Sequence, residues 1–349
     1  MNFLRRRFPV GAWLGLGAVV ALGGAAAVQA APSYTIIDLG TLGGQQASAY
    51  AINASGQIAG GANDAAGGAH AFLHTNGTND DLGALSSRSA SSAIALNERG
   101  EAAGWSTSAD GPIHAALFIN GNVTDLGVPD GFRSSIAAGI NDAGTVVGSS
   151  TGEASGAYDS FTHATRWADG TATDLGTLPG GNSSNAKDIN DADQIVGTSG
   201  SADGSRGFVV IEGMMTALGT LPGGSASWAF AINEAGHIAG ASTTANGGPE
   251  RAVLYADGVI TDLGVAPGFR ASTGLAINAS DTVVGTVRKP IDHVHAALFK
   301  DGVAYDLNTL IPPNPGWVLT SVNGINDDGV ITGIGSKDGL QRAFALIPR

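Results

Sequence analysis

Seven places in the sequence carry groups that could move protons or bind a metal ion. A histidine or arginine followed by a small residue recurs as His70-Ala71, His114-Ala115, His163-Ala164, Arg206-Gly207, Arg251-Ala252, His295-Ala296 and Arg342-Ala343. An aspartate follows at constant offset in five of them: Asp81, Asp125, Asp174, Asp262 and Asp306. Imidazole beside carboxylate is the raw material of a general base or a metal-ligand set. Either use requires the groups to converge on one point. Whether they converge depends on the elements that carry them.

Those elements are strands in a repeat. Asn53, Asn97, Asn141, Asn190, Asn233, Asn278 and Asn326 recur at spacings of 43 to 49 residues, each after Ile or Leu. Leu39, Leu82, Leu126, Leu175, Leu218, Leu263 and Leu307 keep phase with them, mostly inside Asp-Leu-Gly. Each unit predicts four short strands, as in Ala49–Asn53, Gln57–Gly61, His70–His74 and Thr78–Leu82. The Asn opens the first turn, and Gly closes it in five units, with Asp193 and Asp281 in the other two. Asn76-Gly77, Asn120-Gly121, Asp169-Gly170, Glu212-Gly213, Asp257-Gly258 and Asp301-Gly302 suit two-residue hairpins between the third and fourth strands.

Counting outward from those hairpins sets His70 opposite Gly83, and likewise in the other five. Asp81 then lies diagonally across from His70 on the same face, within side-chain reach. Each blade is expected to hold its own His/Arg–Asp contact, except the fourth, where Ala217 stands in for the acid. Such pairs are dispersed around the molecule and suit a structural role better than a shared metal site. The aromatics Phe72, Phe118, Trp167, Phe208, Tyr255, Phe299 and Phe344 follow at even offsets, so all share one strand face, expected to pack on the next sheet.

The third strand Arg342–Ile347 ends the chain without a fourth, whereas Tyr34–Leu39 is a fourth strand without a third. Together they complete one unit. The expected fold is therefore all-β: a seven-bladed β-propeller of four-stranded blades, its ring closed by the N-terminal strand pairing with the C-terminal strand. The expected pairs are Arg342 with Gly40 and Phe344 with Asp38. His70-Ala71-Phe72-Leu73, Asp38-Leu39-Gly40-Thr41-Leu42-Gly43-Gly44 and Ala51-Ile52-Asn53 resemble the HAF extracellular repeat family of bacteria. The resemblance covers residues 34–349 and implies secretion and repeated β-sheet blades. It brings no catalytic residues.

Composition narrows the function further. The chain has 349 residues, 54 Gly, no Cys, 13% charged residues and a net charge of −13. That charge argues against nucleic acid as a partner. Without Cys there are no disulfides, thiolate metal sites or cysteine nucleophile. Arg5-Arg6-Arg7, an apolar Gly/Ala-rich stretch and Val28-Gln29-Ala30 read as a signal peptide spanning residues 1–30, of the Sec or alternatively the twin-arginine type. Residues 31–349 then form one domain, exported to the periplasm or medium and monomeric, without a membrane span, metal or cofactor.

Gly148-Ser149-Ser150-Thr151-Gly152 fits G-x-S-x-G, but no helix follows to make a nucleophile elbow. The Asn141-Asp142-Ala143-Gly144 loop is too short to surround calcium. The informative departures from the repeat are two long loops, Ser149–Thr162 and Asn308–Trp317, both expected on one propeller face. Candidate ligand-binding residues of that face are Trp105, Phe132, Arg133, Tyr158 and Trp228. Phe269, Arg270, Arg288, Lys289, His293 and Trp317 join them. Aromatic faces and cations of this kind suit an extracellular glycan, peptide or protein. The alternatives are a carbohydrate-active lyase or hydrolase using His163, Tyr158 or Asp159, and a structural envelope or matrix protein.

Overall fold

The computed structural model describes residues 31–349 other than 88, 109–110, 154–159, 292 and 314–315. The signal peptide expected at 1–30, and Tyr158 and Asp159 in the long loop, lie outside the described residues. Seven four-stranded antiparallel sheets follow one another along the chain. Blade 1 runs from its innermost strand Gly43–Ile52 through Ile58–Asp64 and Ala69–Thr75 to the outer strand Thr78–Gly83. In blade 7, Trp317–Ile325, Ile331–Lys337 and Leu340–Pro348 are completed by Tyr34–Asp38. Asp38 lies opposite Phe344 and Tyr34 opposite Pro348, which closes the ring as the split unit requires.

The hairpins form because their first residue adopts a left-handed conformation, from φ 49° at Asn120 to 52° at Asn76, Asp169, Glu212 and Asp301, with Gly next. This is the two-residue turn whose twist matches paired strands. The shared-face aromatics are buried, Phe72, Phe208 and Phe344 completely, in the clusters between successive sheets. Each contributes about 2–3 kcal/mol by burial. The sheets approach closely enough that a Cβ on Gly139 of blade 3 would sit 2.9 Å from the Asp188 Cα of blade 4. Small residues at these contacts explain how so aromatic-poor a chain fills seven interfaces.

One expected register needs correction. Phe72 does pair with Asp81, but Gly83 stands opposite Ala71, not His70, because a bulge intervenes. Blade 2 repeats this with Gly127 opposite Ala115. In blades 3, 5 and 6 the fourth strand ends at Asp174, Asp262 or Asp306, and in blade 7 at Asp38, so Gly40 never pairs with Arg342. The cause is the aspartate itself. Its Oδ1 accepts the N–H two residues on, as Asp81 does from Gly83 at 2.8 Å, and Gly83 takes φ 75°. In blade 4, where Ala217 replaces the acid, Gly219 is not left-handed.

The repeated asparagines link the blades into a belt. Each side-chain Oδ1 accepts the N–H four residues on, at 2.9–3.0 Å, which closes its own turn. Each Nδ2 also donates to the backbone carbonyl of the corresponding asparagine in the next blade, at 3.1–3.3 Å. The last of these runs from Asn326 to Asn53 O, so the belt is closed. A second repeated link uses serine. Ser91 Oγ accepts from Ala71 N and donates to Gly83 O, and Ser135, Ser184 and Ser272 do the same in their blades.

Every innermost strand also carries a bulge, whose extra residue is Tyr50, Ile94, Ala138, Lys187, Phe230, Leu275 or Asn323. The next residue is Ala or Gly in six blades and Asp188 in blade 4. The Asp188 carboxylate accepts from Ile189 N and, across the blade boundary, from Ile232 N, each at 2.9 Å. Burial raises its pKa from 3.8 to about 7 despite those two donors. The folded protein therefore keeps a proton that the unfolded chain releases, and stability falls as pH rises from about 4 to about 7. Asp188→Asn is expected to melt at or below the wild-type temperature at pH 5 and above it at pH 8. The swing between the two pH values is on the order of 2–3 kcal/mol, the worth of the roughly two pH units between pH 5 and the folded pKa. Equal melting-temperature differences at both pH values would show that the carboxylate does not titrate in this window.

Candidate functional site

The links between blades and the loops between second and third strands emerge on one face. Asp-Leu-Gly and the recurrent His or Arg lie at its rim. His70 meets Asp81 at 2.8 Å, His114 meets Asp125 at 2.8 Å, His163 meets Asp174 at 2.9 Å and His295 meets Asp306 at 2.7 Å. Arg251 lies 3.8 Å from Asp262. Arg342 and Lys337 both reach Asp38 at 3.0 Å. Burial acts to raise the Asp38 pKa, but the Gly40 N–H, Lys337 and Arg342 outweigh it and hold the carboxyl below the usual range. In blade 4, Arg206 Nη1 turns instead to Ser225 O, 2.5 Å away. The pairs stand one to a blade. Among the described residues no group of three His, Cys, Asp or Glu side chains is arranged to hold a metal ion.

Two stations on this face bring sequence candidates together. Both rest on one type of turn, in which Phe132 N donates to Pro129 O and Phe269 N to Ala266 O, with Gly131 at φ 85° and Gly268 at φ 84°. In blade 3 the Phe132 ring meets Phe161 edge-on at 5.0 Å and His163 at 5.7 Å. Arg133 pairs with Glu153, and both side chains are about 70% exposed (70% and 68%). A cleft of about 310 Å³ continues along the same strands, lined by Ile113, Ser134, Ser135, Ile136, Ser149 and Thr151. In blade 6 Phe269 meets His295 at 5.1 Å, and Lys289 Nζ lies 5.0 Å from the Phe269 ring centroid. Arg270 N donates to Arg288 O, Arg288 approaches Glu250 at 3.8 Å, and Lys289 N donates to the carbonyl of exposed His293.

The other candidates stand apart from these stations. Trp317 is buried, edge-on to Phe344 at 6.1 Å, with Lys337 above its ring, and belongs to the core of the closing blade. Trp105 is half-buried on the second strand of blade 2, between Ser92 and Ala115. Trp228 is half-buried on the innermost strand of blade 5, opposite Ala241. Phe161, Glu153 and Glu250 complete the stations but were not among the sequence candidates. The even offset from Phe161 to His163 was the one signal that they share a face. A second groove, of about 530 Å³ and lined by Arg166, Asp174, Asp193 and Met215 among others, holds none of the candidates.

The fold is thus a closed seven-bladed β-propeller. A family described as a protein of unknown function, DUF3466, matches residues 73–206, less than half of the chain. No curated protein matches the sequence. Solved structures do match. A puromycin-hydrolyzing peptidase from Mycobacterium tuberculosis is 12% identical, over 87% of this chain and 53% of its own, with a TM-score of 0.52. An acylaminoacyl peptidase from Pyrococcus horikoshii is 11% identical, over 87% and 53%, with a TM-score of 0.51. TolB from Acinetobacter baumannii is 14% identical, over 84% and 64%, with a TM-score of 0.47. The chain spans about half the length of the two peptidases and 64% of TolB. At these identities the likeness shows the propeller fold alone. No helix among the described residues is long and apolar enough to cross a membrane.

Proposed function

We propose that the protein is an exported binding module of the HAF repeat type that holds an acidic extracellular glycan on its loop face. The observation that carries the proposal is the pair of stations built on the same turn in blades 3 and 6. Each offers a half-buried phenylalanine beside an exposed guanidinium, Arg133 or Arg270. Exposed cations grouped with aromatic edges on a chain at −13 suit a ligand carrying carboxylates and sugar rings. Two stations three blades apart suit a polymer, which can engage both and gain avidity. Residues 1–30 support the export part.

Binding of polygalacturonate and hyaluronan, with dextran as the neutral control, tests this directly. Saturable binding of an acidic polymer without product release is expected. Arg133→Ala with Arg270→Ala should weaken it about tenfold, each arginine contributing roughly 0.7 kcal/mol, and leave the melting temperature unchanged. Equal affinity in the double variant removes these stations from the site. Release of cleaved polymer replaces the binding role with a catalytic one, and preference for acidic peptides over both polymers moves the ligand class to protein.

A further inference from the structure

The innermost strands hold a second feature, independent of the loop face. Tyr50, Ile94, Phe230 and Leu275 sit at the bulges, are half-buried, and pack into none of the seven inter-blade cores. The innermost strands of neighbouring blades touch one another all around the ring. A half-buried side chain on such a strand that packs against neither flanking sheet has one neighbourhood left, the ring axis. Lys187 occupies this position in blade 4, between Ala138 of blade 3 and Phe230 of blade 5. Burial lowers its pKa, and among the described residues no carboxylate or hydrogen-bond acceptor offsets that burial. The adjacent Asp188 carboxyl instead accepts from the Ile189 and Ile232 N–H groups and forms no ion pair with Lys187. A half-buried ammonium without a counter-charge is costly, and four other blades carry Tyr, Ile, Phe or Leu at this position.

We propose that the axis of the propeller binds one organic carboxylate with an apolar or aromatic body, its carboxylate on Lys187 Nζ and its body against Phe230, Leu275, Ile94 and Tyr50. One ammonium matches one negative charge. A dianionic phosphate calls for an arginine fork or a nest of backbone N–H groups, and the axial ring has neither. A free acid and the C-terminus of a peptide both present this carboxylate beside an apolar body, so the two sources share one chemistry.

Calorimetric titration with four probes separates these sources: 3-phenylpropionate, its primary amide, and a tripeptide ending in phenylalanine as free acid and as amide. Saturable one-to-one binding of at least one acid is expected, with its amide about tenfold weaker or worse, the worth of one charge-assisted contact. Binding of phenylpropionate indicates a free acid, and binding of the peptide acid alone indicates a C-terminus. Lys187→Met should bring acid and amide to the same weak affinity while melting no lower than the wild type. Arg133→Ala with Arg270→Ala should leave the titrations unchanged, so this site stands or falls apart from the loop-face proposal. The inference is overturned if neither acid saturates the wild-type protein, if acid and amide bind it alike, or if Lys187→Met binds the acids as tightly as the wild type.

Discussion

Deletion of residues 31–40 is expected to lower the melting temperature by about 10 °C and to turn a monodisperse protein into a self-associating one. The segment supplies the outer strand of blade 7, paired in register from Tyr34 opposite Pro348 to Asp38 opposite Phe344. Its loss exposes part of the core around buried Tyr34 and Leu39, which is worth about 5 kcal/mol with the neighbouring Ile36. It also strips Arg342 and Lys337 of Asp38 and leaves Leu340–Pro348 as an unpaired edge, a template for another chain. A synthetic peptide of residues 31–40 should restore both melting temperature and monodispersity by strand addition. Because the folded-state pKa of Asp38 is depressed, its contribution is present above about pH 4 and is lost as pH falls through the folded value. Asp38→Ala should therefore destabilise at pH 7 and converge on the wild type in strong acid. Calorimetry and light scattering on the deletion variant decide the main point: an unchanged melting temperature and a single monomeric species would contradict closure by this strand.

The second large effect is expected at the asparagine belt. Asn190 is 1% exposed. Its Nδ2 donates to Gln194 Oε1 at 2.8 Å and to Asn233 O at 3.1 Å, and its Oδ1 accepts from Gln194 N at 3.0 Å. Asn190→Ala leaves these three groups without their partner and should cost about 2–4 kcal/mol. Asn190→Asp keeps the shape and the acceptor but turns a charge toward two oxygens. It should be the worse variant at pH 7, with a carboxyl pKa raised by burial and repulsion. Its stability should then recover as pH falls from 7 to 5, whereas that of Asn190→Ala should not. Urea unfolding of both variants at the two pH values measures this. An Asn190→Asp protein as stable as the wild type at pH 7 would remove the belt from the forces that hold the blades together.

The repeat, the hairpins and the split blade were legible because each leaves a mark inside one unit: Asn-Gly at a turn, an even offset from His70 to Phe72, a fourth strand without its third. The Asp-Leu-Gly motif was legible as a position but not as a geometry. The side chain of Asp81 competes for the Gly83 N–H and shifts the pairing there, which counting outward from the turn cannot register. The belt escaped for a different reason. Asn53 reads as a turn residue and is one, while its second partner is the same residue type in the next unit, so no second motif announces it. The stations on the loop face were half legible. Phe132-Arg133 and Phe269-Arg270 stood out as a shared pair, yet Trp317 was indistinguishable by type from a ligand-facing aromatic until its burial against Phe344 was known. Lys187 and Asp188 look like ordinary polar residues of an exposed strand until the innermost bulge fixes where they sit.

The belt also has no origin. Every link runs in one direction, from a side chain to the carbonyl one blade on, and seven steps return to the first. Arg349 N donates to Ser33 O at 3.0 Å, so the strands that begin and end the ring already touch. A chain joined there by a short linker and reopened in an outer hairpin, such as Asp257-Gly258, would keep all seven links and the same blades. Where translation starts is in this sense arbitrary. What is not arbitrary is the count, because a ring of six or of eight blades would have to change the angle of every step for the last asparagine to find the first.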